Sequence, residues 1–346
     1  MMTSFHKIRI LSLASLICLT TLSSVFMHAK ATKGSYPGAN GMIVFSDRDP
    51  VGGDWEIFVM NSDGTGRQQL TTNRVPDRYP CWSPDGEKIA FVKNLFETDE
   101  LNYISKDGTG LTLVSTSPID FGYSGPAWSP DGQKIAYERQ HHRPPGEFDI
   151  YVIQIGTVGE GVKLIENADS PSWSPDGSMI AYYHRTDYNI WVADSSTGAP
   201  LFRVTSDGGS SPCWSPDGQR IVYEYDDLIY VIDIDGSDKQ QISFPPADPD
   251  WDGDDDPNWS PDGDKIIYER DFDSIWIMDP DGSNAYDLTP SRPEAMEPDW
   301  QRLPAPVPVG GEIVPSNTTS LLAPYIGLIT ITALAGYSML NRKKLQ

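Results

Sequence analysis

The chain has 346 residues, with 30 Gly, 29 Pro and 3 Cys, and its 49 acidic residues against 26 basic ones give a net charge of -23. So few cysteines exclude a disulfide-stapled miniprotein, and so negative a body repels a polyanion, which excludes nucleic acid as a partner. The 10 Trp, 16 Tyr and 11 Phe argue for a packed fold, because wholesale disorder goes with few aromatics.

Residues 1–31 contain no acid; Lys7 and Arg9 precede an apolar stretch from Ile10 to Phe26, and Ala29-Lys30-Ala31 places small residues at a cleavage site. This is the layout of a secretory signal peptide, with an uncleaved signal anchor as the alternative. At the far end, Leu321 to Leu340 is uncharged and is followed by Arg342, Lys343 and Lys344. Twenty helical residues at ~1.5 Å each span the hydrocarbon core of a bilayer. The expectation is a transmembrane helix over 321–341 with a basic cytoplasmic tail over 342–346. Residues 303–320, rich in Pro and Gly, read as a semi-extended stalk. The two ends hold six basic residues and no acid, so 32–320 carries the other 20 basic residues against all 49 acids, a net of -29.

Between these ends lies a repeat. Trp-Ser-Pro-Asp-Gly recurs at 82–86, 128–132, 173–177, 214–218 and 259–263, and a degenerate sixth copy keeps Trp300. The tryptophans are 46, 45, 41, 45 and 41 residues apart, the length of a four-stranded propeller blade. Pro80, Pro126, Pro171, Pro212, Pro257 and Pro298 each stand two residues before a repeat tryptophan. The pentapeptide is a tight turn: proline presets φ, aspartate bonds back to the backbone, and glycine accepts positive φ. Next comes an apolar strand such as Lys88-Ile-Ala-Phe91, then a second such as Ile190-Trp-Val-Ala193, then a more polar third such as Lys239-Gln-Gln-Ile242. Runs apolar on both faces suit sheets stacked against neighbouring sheets. The body opens at Gly41-Met-Ile-Val-Phe45 with no tryptophan strand before it, and closes on Glu297-Pro-Asp-Trp300 with nothing after it. The spacing therefore predicts six four-stranded antiparallel blades over 32–302, an all-β propeller closed by its C-terminal strand.

The WSPDG turn, with its I-A-F/Y and D-I-Y-V strands, resembles the TolB-type, WD40-like β-propeller repeat over roughly residues 41–302. The C-terminal segment is similar to the membrane anchors of archaeal surface proteins. These resemblances imply a periplasmic or cell-surface protein-binding role, with no catalytic residue to carry over.

Chemistry is sparse. His141, His142 and His184 lie in equivalent loops of the third and fourth blades. They are the catalytic candidates for an exported hydrolase or polysaccharide lyase, against the reading of solvated loop histidines. Asp85, Asp131, Asp176, Asp217 and Asp262 occur once per repeat and read as turn residues, not as a catalytic ring. Trp82, Trp128, Trp173, Trp214, Trp259 and Trp300 read as blade packing, with a carbohydrate-stacking row as the alternative. One segment departs from the repeat: Asp248, Asp250, Asp252, Asp254, Asp255 and Asp256 crowd nine residues. The D-x-D-x-D-G spacing matches the start of a calcium loop. Trp259 stands where the closing glutamate is expected, so Asp254 or Asp256 has to substitute. The expectation is Ca²⁺ held by Asp248, Asp250, Asp252, Asp254 and Asp256, set against a merely solvated acidic loop. Cys81 and Cys213 fall three blades apart and are expected to be free thiols.

The leading expectation is a monomeric, exported, single-pass membrane protein. Its propeller docks a protein or glycan through the variable loops Asn73–Tyr79, Ser117–Ser124, Arg139–Glu147 and Pro245–Asp256.

Overall fold

The computed structural model describes residues 40–49, 53–95, 97–141, 147–246, 251–290 and 294–303. The expected signal peptide, transmembrane helix and basic tail lie outside the described residues, as do the stalk beyond Leu303 and the positions His142, Asp248 and Asp250. No helix among the described residues is long and apolar enough to cross a membrane.

Every element among the described residues is a strand, and these strands form six four-stranded antiparallel sheets. The first sheet holds β1 (Asn40–Arg48), β2 (Trp55–Met60) and β3 (Gln68–Gln69). The second runs β4 (Asp77–Trp82), β5 (Lys88–Asn94), β6 (Asp99–Ser105) and β7 (Thr112–Thr116). The third runs β8 (Phe121–Trp128), β9 (Lys134–His141), β10 (Phe148–Gln154) and β11 (Val162–Ile165). The fourth runs β12 (Ala168–Trp173), β13 (Met179–His184), β14 (Asn189–Asp194) and β15 (Pro200–Arg203). The fifth runs β16 (Ser210–Trp214), β17 (Arg220–Tyr225), β18 (Leu228–Asp233) and β19 (Gln240–Gln241). The sixth runs β20 (Asp254–Trp259), β21 (Ile266–Arg270), β22 (Ser274–Met278) and β23 (Tyr286–Asp287).

The last strand, β24 (Met296–Arg302), does not extend the sixth sheet. It pairs antiparallel with β1, with Ile43 opposite Trp300 and Val44 opposite Asp299, and so completes the first blade. This is the closure that the unmatched ends of the repeat predict, and it leaves no inner edge open to another chain.

The core is divided by blade interface. Six buried clusters form, each containing one repeat tryptophan. Trp82, for example, packs with Val44 and Ile57 of the first blade and Ile89 and Phe91 of the second. All six tryptophans are 3–9% exposed, so their rings are packing elements rather than an open stacking row. The turn chemistry also holds as read. In each full copy the serine Oγ donates to the aspartate at 2.6–2.8 Å, and a backbone N–H two residues on donates to the same oxygen at 3.0–3.1 Å. These five carboxylates are turn fasteners at one end of the blades. The expected third strands of the first, fifth and sixth blades shrink to two paired residues each, because only the Gln-Gln or Tyr-Asp step stays in register with the strand inside it.

The acidic mouth of the central channel

The residue before each proline of the inner strands is where the six blades build a site. Tyr79, Gly125, Ser170, Ser211, Asp256 and Glu297 all adopt φ between 45° and 57°. In every inner strand that residue and its proline oppose a single partner residue, which makes a β-bulge; in the second blade, for instance, pairing jumps from Arg78–Val92 to Cys81–Ala90. Proline suits the bulge because it has no N–H to lose from the ladder. The six bulges line one mouth of a central channel of about 490 Å³. A Cβ at Gly125 would press on Glu138 Oε1, so a larger residue there requires that carboxylate to shift.

The walls of this mouth are acidic. Glu138 and the bulge residues Asp256 and Glu297 line it; Glu224 and Glu269, which like Glu138 follow the aromatic residue of their second strands, are not among the lining residues. Glu297, 9% exposed, accepts from Ser46 Oγ and from the Tyr79 backbone N–H, both at 2.7 Å, and pairs with Arg78 at 2.7 Å. Its own N–H donates to Glu269 Oε2 at 3.2 Å. Arg78 is held in turn by the faces of Trp55 and Tyr79, at 4.9 and 5.0 Å. On the third and fourth blades, Glu138 accepts from Ser124 Oγ at 2.7 Å and from the Ser170 N–H at 2.8 Å. Asp169 beside it is paired with Arg185.

Burial in the channel wall is the main force on these carboxyls. It pushes Glu269 up to about 8, with Asp255 and Glu297 adding repulsion. Glu224 rises to about 7 through burial and Asp255, and Glu138 to about 7 through burial and Asp169. Asp256 is raised by burial and by Asp255, Glu269 and Glu297 around it. Deeper in, Asp299 accepts from the Trp82 N–H at 2.7 Å and from Asn258 Nδ2 at 2.9 Å, so it bridges the closing strand to both neighbouring blades; burial raises it to about 6. Cys81 and Cys213 also line the channel, both as free thiols whose pKa is pushed up by burial.

The residues singled out in the sequence fare differently. Among the described members of the aspartate-rich loop, Asp254 gives both oxygens to Arg270, Nε at 2.6 Å and Nη2 at 2.8 Å, while Asp256 turns into the channel wall. Asp252 donates its N–H to Asp271 Oδ1 at 2.9 Å. Among the described residues no three His, Cys, Asp or Glu side chains gather to hold a metal. His141 meets the Phe121 ring edge-on at 4.5 Å within the third blade. His184 bonds Asp187 at 2.8 Å and stands against Trp191 within the fourth. Each described histidine is engaged in its own blade. The sequence reading missed Glu138, Glu224, Glu269, Glu297 and Asp299. For Glu297 the signal available was the variable residue before each repeat proline, and for Glu138, Glu224 and Glu269 it was a glutamate after the second-strand tyrosine in three of the blades.

Residues 22–183 and 166–300 match the TolB beta propeller domain family. This chain belongs to that family. Among curated relatives, the protein TolB homolog of Chlorobium luteolum is 40% identical over 60 residues, 17% of this chain and 14% of that protein. The Tol-Pal system protein TolB of Zymomonas mobilis is 38% identical over 61 residues, 18% and 13% of the two chains. The chain therefore matches about a seventh of the length of these TolB relatives. Of solved structures, TolB from Acinetobacter baumannii superposes with a TM-score of 0.62 at 18% identity, covering 80% of this chain and 70% of that one. An oligogalacturonate lyase in complex with manganese superposes at 0.51 and 17% identity, covering 71% and 73%. At such identities the superpositions show the propeller fold alone.

Proposed function

We propose that this TolB-type propeller is an exported, membrane-anchored, non-catalytic binding module, and that it receives a basic polypeptide at the acidic mouth of its channel. The observation that carries the reading is the juxtaposition of Asp255, Asp256, Glu269 and Glu297 across the sixth and first blades, with Arg78 as the cation paired there. A lysine or arginine entering the mouth would meet these groups in surroundings where water screens little. The four loops singled out in the sequence all connect to this same end, opposite the WSPDG turns, so specificity can be set around the mouth without touching the turns that hold the ring. Export and anchoring are supported by the two apolar terminal segments with their basic flanks. The hydrolase or lyase alternative rests on His141, His142 and His184, of which the two described ones are each engaged within their own blade.

Calorimetric titration with a ten-residue lysine peptide tests the proposal. Binding is expected to weaken about tenfold or more between 50 and 300 mM salt, and by a similar factor in an Asp256→Asn/Glu269→Gln variant at low salt. An affinity indifferent to both salt and substitution would end the reading.

A further inference from the structure

Two phenylalanines stand in water at the mouth end of the fifth and sixth blades, Phe244 at 61% exposure and Phe272 at 49%. Phe244 lies in the connection between β19 and β20, and Phe272 in the hairpin between β21 and β22. Arg270 ties the two segments together: its Nη2 donates to the Phe244 carbonyl at 3.5 Å, and Phe272 follows it by two residues. Asp271 and Phe272 have φ of 58° and 54°, and the Asp273 N–H donates to the Arg270 carbonyl at 3.3 Å. This is a turn with two left-handed residues, a geometry that favours Asn-Gly and penalises a bulky side chain. The same turn in the fifth blade uses Asp226-Asp227, with φ of 54° and 58°, so the fold has no need of an aromatic there.

Asp271 and Asp273 flank Phe272, and acidic segments of the fifth and sixth blades adjoin its hairpin. Asp254 N–H donates to the Asp227 carbonyl at 2.9 Å and Asp271 N–H to the Gly253 carbonyl at 2.8 Å, which locks the Asp226-Asp227 hairpin, the Asp252 segment and the Asp271–Asp273 hairpin into one corner. The guanidinium of Arg270 does not offset them, because it is taken up by Asp254. The corner thus offers two apolar anchors inside an acidic rim.

We infer that this corner is a docking surface for a polypeptide that presents an apolar side chain flanked by lysines or arginines, with Phe244 and Phe272 as its anchors. The inference rests on the proposed function, of which it specifies the partner's chemistry and the blades engaged. Charge complementarity selects the occupant. A second copy would set the same aspartates against one another, while a purely cationic chain would leave two phenylalanines wet. Aromatic anchors carry most of the energy of such contacts.

The probe is a fluorescein-labelled peptide, Lys-Lys-Phe-Phe-Lys-Lys, titrated into the protein by anisotropy. Two control peptides replace Phe by Ser or Lys by Glu. Both controls are expected to bind at least tenfold more weakly. A Phe244→Ser/Phe272→Ser variant should lose at least tenfold in affinity for the parent peptide while its melting temperature holds. Phe272→Gly should separate binding from folding, since relief of the left-handed strain raises the melting temperature while affinity falls. If the double serine variant binds like the parent while Asp256→Asn/Glu269→Gln does not, the corner is not the anchor and the channel reading stands alone. If neither variant changes binding, both readings fail. A dimer seen in sedimentation that dissociates in the serine variant would assign the corner to a second copy and overturn the inference.

Discussion

Replacing Arg270 by methionine isolates the energetics of a buried ion pair in the sixth blade. Asp254 is 0% exposed and receives two N–H donors from Arg270, at 2.6 and 2.8 Å. Methionine keeps most of the apolar stem against Trp276, whose ring centre lies 4.4 Å from the guanidinium carbon, so little cavity forms. What is lost is the counter-charge. An orphaned buried carboxylate costs about 3–5 kcal/mol, and the missing cation–π contact adds roughly 0.5–1 kcal/mol. At about 2–4 °C per kcal/mol for a domain of this size, the melting temperature should fall by about 7–24 °C. Urea unfolding followed by tryptophan fluorescence measures the loss directly. A second change, Asp254→Leu in the same chain, removes the stranded charge and should recover about half the loss or more. The reasoning fails if the single variant loses less than about 1 kcal/mol or if the double variant is worse than the single. It also fails if millimolar calcium rescues the single variant, since Asp254 would then be serving a metal rather than Arg270.

Glu138, Glu224 and Asp77 sit near 7 and Glu269 near 8, all raised chiefly by burial. The folded state therefore binds more protons than the unfolded chain between about pH 4 and pH 8, and stability falls as pH rises through that window. Melting should be several degrees higher at pH 5 than at pH 8.5, and Glu269→Gln should flatten the upper part of the curve. Trp300→Ala empties the cluster shared with Ile43, Phe45 and Ile277 at the closing interface and should cost about 3–5 kcal/mol; urea midpoints check this, and light scattering should show association as β1 loses its partner. Asp131→Ala removes the acceptor of Ser129 Oγ and of the Gln133 N–H, both at a turn, and should cost about 1 kcal/mol in thermal unfolding without altering peptide binding.

The parts of the molecule legible in the sequence are those that must be the same six times. Ser-Pro-Asp-Gly recurs because one turn geometry recurs, and Trp recurs because each blade interface needs one ring. Glu297-Pro-Asp-Trp300 announces closure because it lacks a successor. The channel mouth was illegible for the opposite reason. Its bulge position is Tyr79, Gly125, Ser170, Ser211, Asp256 and Glu297 in turn, and the second-strand position behind it is glutamate in only three blades, so what repeats all six times is the backbone shape. Asp254 misled because local spacing says nothing of Arg270, sixteen residues on and directly across the hairpin. The scaffold is written in the constant residues, and whatever the protein recognises is written in the variable ones between them.

Because β24 returns to β1, the described chain begins and ends side by side: Asn40 stands opposite Arg302, and Gln301 Nε2 donates to the Gly86 carbonyl in a WSPDG turn. Both termini of the propeller therefore emerge at the face away from the carboxylate-lined aperture. A reporter or linkage joined directly at Asn40 or at Arg302 would start from the face opposite that aperture, and two such fusions would start next to each other rather than straddling the ring.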